Sequence, residues 1–387
     1  MNLISETLPT PLYFDKKIRA LEKPKLKILF ILKNLALGGT EVFNLQLIKY
    51  LQSRGLDIDL LTIDSKNELE EETKGLNIFD LKASSIRNSI PGLYKVLKSN
   101  NYEIVVANVW PLTLIAILLS KLMYKTKCIC IEHGILSKEY SRKTFLFRYI
   151  QKISIKLLYR LSNAIVAVSR GVKEDLMGLG ANDKSIKVIY NSTRPYKTKD
   201  LDSDLKEWYE FSGIKLISVA NLKKEKNISN LLKAFNMLLN DYSNNISLLI
   251  LGEGPLENSL KDEAKDLGIL KKVFFGGKRI NALDYINRSD IFVLSSDFEG
   301  FGIVLIEALS LGKTIVATRN EGALEIIKQE EIGYLCNLDD PNDLSHKIID
   351  AIANPLKKET LIKESRKYSI DNIGEKYFKL LQNVSEK

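Results

Sequence analysis

The sequence predicts an α/β protein of two doubly wound, Rossmann-like parallel-sheet domains facing one deep cleft. Three observations carry that expectation. Short runs rich in Ile, Val and Leu alternate with longer segments at helical spacing, the pattern of parallel sheets covered on both faces. The 387 residues exceed one ordinary core and favour two domains. The polar stretch NSTRPYKTKDLDSD, residues 191–204, contains Pro195, lacks apolar periodicity and separates two series of such runs. We therefore expect a first domain over 1–195, with an extension over 1–24, and a second over 196–370. A C-terminal helix over 371–387 would pack back on the first domain.

The first series reads KLKILFIL, LDIDLLTI, YEIVVAN, KCICIE, AIVAVS and IKVIY; the second reads IKLISVAN, NISLLILG, KKVFFGG, SDIFVLSS and KTIVAT. With 45% hydrophobic and 27% charged residues, the composition excludes a disordered chain. Cys128 and Cys130 fall on one face of a strand, and with Cys336 they read as core thiols in a reducing compartment. The N-terminal MNLISETLPTPLYFDKK lacks the pattern of a secretion signal. The longest apolar run, PLTLIAILLSKLMY, is interrupted by Lys121 and falls short of a spanning helix. A cytoplasmic protein, peripheral on the inner face of a membrane, is the expectation.

Four strand ends would meet at the cleft, where open α/β sheets bind ligands. The first is LALGGTEV. Gly38 and Gly39 turn the chain into a helix starting near Thr40 or Glu41, which suits close backbone approach to an anion and also suits an ordinary turn. The second is IEHG, with His133, one of two histidines, just past a strand; it is either structural or a site residue. The third is ANLKKEKN, where Lys223, Lys224 and Lys226 crowd the loop before a helix, as in a phosphate site or a solvated loop. The fourth is DFEGFGIVLIEAL. Glu299 and Glu307 flank a Gly-Phe-Gly corner, and the amides around Phe301, Gly302 and Ile303 would open onto the cleft. A carboxylate repels a diphosphate but accepts hydrogen bonds from a ribose cis-diol. A nucleotide-diphosphate sugar satisfies both halves of such a site.

The ordered set of these motifs, over residues 25–355, resembles the retaining glycosyltransferases of family four, with the GT-B fold and its Glu-x7-Glu signature. LILGEGP, with Gly254, resembles the family's glycine loop. The resemblance implies that Glu307 holds the donor ribose, that Glu299 contacts the transferred sugar, and that Lys226 lies against the diphosphate. It implies that Phe301, Gly302 and Ile303 position sugar and phosphate, that His133 sits near the sugar, and that Gly38–Gly39 cover the phosphates. Two departures stand out: Asn221 replaces a usual Arg at the donor site, and Glu321 replaces a common Gly, leaving Gly322. The implied reaction retains anomeric configuration and uses the nucleotide sugar, first of all a UDP-sugar, as co-substrate. Neither a metal nor another cofactor is needed, because Lys226 and helix amides can carry the leaving charge.

The net charge of +9 is local: residues 121–160 hold ten Lys or Arg and two acids. Within SRKTFLFRYIQKISIKLLYRL, Arg148, Lys152, Lys156 and Arg160 recur every fourth residue and line one helix face, while Phe147, Ile150, Leu157, Leu158 and Leu161 line another. Such a helix suits an anionic membrane or a lipid-diphosphate acceptor, or a packed helix with a solvated side. Nucleic acid is not expected, since no aromatic platform or known binding motif accompanies the charge. The function expected is transfer of a hexosyl or N-acetylhexosaminyl group to a glycan or lipid-linked acceptor of a cell-surface polysaccharide. The alternative is a nucleotide-sugar epimerase of the same two-domain fold.

Overall fold

The structure, a computed structural model, describes residues 26–123 and 125–386; the expected extension over 1–24 lies outside them. Seven parallel strands form the first sheet: β1 (Lys27–Leu32), β2 (Asp57–Thr62), β3 (Asn77–Asp80), β4 (Ile104–Asn108), β5 (Lys127–Glu132), β6 (Ala164–Ala167) and β7 (Ile186–Val188). Their spatial order is β3-β2-β1-β4-β5-β6-β7. Six parallel strands form the second: β8 (Ile214–Val219), β9 (Ile246–Leu251), β10 (Val273–Gly277), β11 (Ile291–Leu294), β12 (Thr314–Thr318) and β13 (Tyr334–Cys336), ordered β10-β9-β8-β11-β12-β13. In each sheet the order reverses beside the first strand, between β1 and β4 and between β8 and β11. That reversal opens a crevice at the strands' carboxyl ends.

The apolar runs read in the sequence are these strands. Their burial on both faces explains why they are continuous rather than alternating. In β9, Leu249 and Leu251 face the core shared with the first domain, while Ile246, Leu248 and Ile250 face a second core under the outer helices. Two strands escaped the sequence reading. β3 (NIFD) and β13 (YLC) are short edge strands. An edge strand has one paired neighbour and less buried surface, so its apolar signal is weak.

The helices that bear on the cleft and the surfaces around it are α1 (Gly39–Ser53), α2 (Leu112–Leu122), α3 (Phe145–Leu158), α4 (Ile228–Asp241), α5 (Ile303–Ser310) and α6 (Ile370–Ser385). Residues 189–202 carry no regular structure and join the sheets. This linker is strapped down: Tyr196 OH and the Lys199 amide both donate to Asp284 Oδ1, at 3.0 and 2.9 Å, and the Thr193 amide donates to the Tyr368 carbonyl at 2.9 Å. All three cysteines are buried and unbridged. No described helix is long and apolar enough to cross a membrane.

Helix α6 lies on α1 of the first domain, with the Tyr377 ring 6.0 Å from Phe43 and Tyr50 OH 3.3 Å from Glu375 Oε2. Gly374 makes this packing close, since an added Cβ would come within 2.3 Å of the Tyr50 ring. Alanine normally gains about 1 kcal/mol over glycine in a helix, but overpacking costs about 1–3 kcal/mol. Gly374→Ala should therefore lower the urea midpoint. A variant as stable as the parent would mean that the two helices separate freely.

Candidate active site

Four strand-to-helix turns converge on one chamber of about 290 Å³. The turn after β1 brings Gly38 and Gly39, that after β5 brings His133, that after β8 brings Asn221 and Lys226, and that after β11 brings Glu299 to Ile303. Glu307, one turn into α5, and Arg194 of the linker close the other end. Glycines let the two domains meet. A Cβ on Gly300 would come within 1.9 Å of the His133 carbonyl oxygen, and one on Gly39 within 3.0 Å of Ile303. Gly322 is pressed against the Phe301 carbonyl and Glu299, while the neighbouring Glu321 pairs across the cleft with Lys138. The chain thus keeps a glycine where space requires one and uses the displaced acid as an interdomain contact.

The loop before α4 answers which lysine turns inward. Lys223 and Lys224 stay exposed. Lys226 Nζ lies 2.7 and 2.8 Å from the two Glu299 carboxylate oxygens, and Ser296 Oγ donates to the same carboxylate at 2.7 Å. The residues expected at the diphosphate and at the sugar hold each other. Asn227 makes the geometry: it takes a left-handed conformation (φ 44°) and caps α4 by accepting from the Asn230 amide.

Phe301 points its ring away from the chamber, stacked on Tyr190 at 5.2 Å and edge-on to Tyr368 at 5.6 Å. This anchor fixes the corner whose next residue, Gly302 (φ 89°), starts α5. The first amides of α5 lack intrahelical acceptors and carry the positive end of its dipole. Glu307 is 7% exposed, and Arg194 Nε stands 2.9 Å from its Oε1. The Nε–H has no aligned acceptor, so this contact is an ion pair. Burial raises the Glu307 carboxyl above its ordinary range, against the charge of Arg194.

His133 has a defined tautomer. Asn108 donates its amide to the Ile31 carbonyl at 3.3 Å, which turns its Oδ1 toward His133 Nε2 at 2.9 Å. Nε2 therefore carries the proton. Nδ1 keeps a lone pair and is buried without a partner among the described residues.

Beyond Lys226, Glu299 and His133 a second chamber of about 600 Å³ opens, with Lys138, Glu139, Tyr140 and Arg142 on one wall and Lys224 and Phe298 on the other. Glu68 accepts from the Leu37 amide at 2.7 Å and pairs with Lys278 after β10, both of which line the first chamber. That pairing and the backbone bond lower its carboxyl to about 2.

Two sequence expectations need correction. Gly254 does not line either chamber; it packs on the Leu222 backbone, and Gly252 lines the cleft instead. Helix α3 packs through Gln151 and Ile155, with Phe147 and Leu158 half-buried, whereas Ile150 and Leu157, and Leu161 just beyond the helix, stand exposed. The reason is that α3 lies on α2 and on Trp110, whose ring sits 5.5 Å from Phe147, and these fix a narrower face than the apolar positions suggested. Arg148, Lys152, Lys156 and Arg160 are exposed as expected and lie away from the chambers. Sequence reasoning missed Arg194, Lys278 and Arg279. The pair in GGKRIN after β10 was a legible strand-end signal; Arg194 in an irregular linker gave none.

Residues 211–368 match the profile described as Glycosyl transferases group 1, and residues 37–195 match Glycosyltransferase Family 4. An uncharacterized glycosyltransferase of Methanocaldococcus jannaschii is 31% identical over 288 residues, covering 72% of this chain and 71% of that protein. The chain belongs to the group 1, family 4 glycosyltransferases. A Campylobacter jejuni enzyme named as an N-acetylgalactosamine-N,N'-diacetylbacillosaminyl-diphospho-undecaprenol 4-alpha-N-acetylgalactosaminyltransferase is 31% identical over 57% of this chain and 59% of its own. The Anabaena HepE crystal structure in complex with UDP and glucose superposes with a TM-score of 0.78 at 19% identity, over 92% of this chain and all of that one. The two-domain architecture is GT-B. Membership favours sugar transfer over the epimerase alternative.

In this glycosyltransferase, burial lowers His133 to about 3, so its ring is neutral at ordinary pH. Unfolded histidine titrates near 6.5. Between these values the unfolded chain binds a proton that the native one refuses, so stability falls as pH drops below about 6.5. Glu132, next in sequence, is raised by burial to about 7 and acts with the opposite sign between its unfolded value and neutrality. His133→Gln should make the acid-side fall in melting temperature shallower between about pH 6.5 and 5. An unchanged slope would place the ring in solvent.

Proposed function

We propose that the chain is a retaining, metal-independent transferase that moves a hexosyl or N-acetylhexosaminyl group from a nucleotide-diphosphate sugar, first of all a UDP-sugar. The acceptor is a glycan or lipid-diphosphate oligosaccharide of a cell-surface polysaccharide. The observation that carries this reading is Lys226 Nζ, bridging both Glu299 oxygens where the two chambers meet. A donor with its diphosphate beside Lys226 and the α5 amides puts its sugar against Glu299 and His133. Its ribose then reaches Glu307. The second chamber faces the same point from the acceptor side. The names of the Campylobacter enzyme, which includes a diphospho-undecaprenol, and of the HepE complex with UDP and glucose support the two substrate classes.

The reaction breaks the anomeric C–O bond and leaves its electron pair on the diphosphate. Lys226 and the α5 amides stabilise that charge in a partly dry cleft. The acceptor oxygen bonds the anomeric carbon on the face the diphosphate leaves, and its proton passes to the departing phosphate oxygen. His133 Nδ1, with a lone pair and no partner among the described residues, accepts from a sugar hydroxyl, while Glu299 accepts from others. Lys226→Ala removes one charge-assisted contact of about 1.5–3 kcal/mol, so turnover should fall roughly ten- to a hundredfold. Glu307→Ala should chiefly raise KM for the donor. Wild-type turnover in both variants would displace the donor from this cleft.

The acceptor reading extends to the surface. Phe145, Leu146, Tyr149, Ile150 and Leu157 are 53–83% exposed. They interleave with Arg148, Lys152 and Lys156, and Leu118 and Leu122 of the adjoining α2 extend the patch. Apolar side chains rimmed by cations suit the interface of an anionic bilayer. Anionic vesicles should co-sediment the protein, with binding that fades as salt rises. Equal binding to neutral vesicles would remove charge from the account.

A further inference from the structure

We infer that the interdomain linker, through Asn191, Ser192 and Arg194, forms a wall of the donor site that binds the nucleoside half of the donor. The inference rests on the donor assignment above. Two ion pairs mark the ends of the 290 Å³ chamber: Lys226–Glu299 at one, Arg194–Glu307 at the other. Glu307 lies one turn into α5, and Glu299 precedes that helix. A diphosphate at Lys226 and the α5 amides therefore leaves ribose and base to the Arg194 end. There the linker presents Asn191 and Ser192, each 2% exposed and each lining the chamber. Asn191 Oδ1 and Ser192 Oγ have no hydrogen-bond partner among the described residues.

A fold seldom leaves such atoms without a protein partner unless something else meets them. They are held in place, because the Thr193 amide between them and Arg194 donates to the Tyr368 carbonyl at 2.9 Å. An asparagine amide offers a donor beside an acceptor, the complement of the N–H and C=O edge of a base. Ser192 can donate to or accept from a ribose oxygen. Arg194 acts on Glu307: a cis-diol needs an ionised carboxylate to accept from both hydroxyls, and burial works against ionisation there. Lys226, Glu299, Lys278 and Arg279 line the same chamber, and Arg194 is the charged group paired with Glu307. Its cation opposes burial and favours the accepting form.

Calorimetry with UDP, GDP, ADP and CDP selects the diphosphate that binds best, and inorganic pyrophosphate serves as the probe without a nucleoside. Asn191→Leu and Ser192→Ala should each weaken the chosen nucleotide about tenfold, a loss of the order of one charge-free hydrogen bond. They should leave pyrophosphate unchanged and the ligand-free melting temperature equal or higher. Arg194→Met should weaken the nucleotide more at pH 6 than at pH 8, and Arg194→Lys should restore the flat profile. Lys226→Ala, by contrast, should weaken both ligands. Linker variants that bind nucleotide as the parent does, beside a Lys226→Ala that loses it, would overturn the linker's role alone. A parent protein that binds neither nucleotide nor pyrophosphate would overturn the donor assignment with it.

Discussion

Two carboxylates set into a protein wall need cations, and the cleft is arranged around that requirement. Glu299 and Glu307 have side chains 12% and 9% exposed. Uncompensated charge at that depth is costly. Each is answered from a different segment: Lys226 from the loop before α4, and Arg194 from the linker. Neither cation can reach its partner unless β8, β11 and the linker hold their places. The glycines follow from the same demand, for only a residue without a side chain lets the Glu299 turn rest on the His133 carbonyl. The two pairs fix the side chains that line the cleft. A ligand entering the cleft exchanges these contacts for its own, so its binding energy is a difference between two sets of charge-assisted bonds.

The fold was legible because burial leaves a strong record. Eleven apolar runs became eleven strands, nine of them interior and two, β7 and β10, at sheet edges; the two that failed to register, β3 and β13, were the other edges. The site was legible wherever a strand end carried a conspicuous residue, as at Gly38, His133, Lys226 and Glu299. What could not be read was pairing. Nothing in ANLKKEKN distinguishes Lys226 from Lys224; the difference is the Glu299 carboxylate from a distant turn, which pairs with Lys226. Arg194 belongs to a stretch with no periodicity, and its role exists only because the linker crosses beneath α5. Gly254 misled for the converse reason. A glycine close to a cleft can be required by packing on its own backbone neighbour, here Leu222.

The exposed helix and the candidate site are also mechanically linked. Glu132, fully enclosed, accepts from the Trp110 amide at 3.1 Å, from Thr113 of α2 at 3.0 Å, and from the Tyr159 hydroxyl just beyond α3. Those three donors belong to the segments that carry the apolar and basic surface. Glu132 is followed directly by His133, whose carbonyl meets Gly300 of the other domain. A displacement of α2 or α3 by a binding surface must therefore pass to the His133 turn or break a buried hydrogen bond, and the latter leaves a polar group unpaired in low dielectric. The rigid choice is cheaper. An enzyme resting on α3 would hold its second chamber at a fixed angle to that surface, with Arg142 between helix and chamber. The orientation of the second chamber is thus built into the first domain, while Lys226, Glu299 and Glu307 face it from the second.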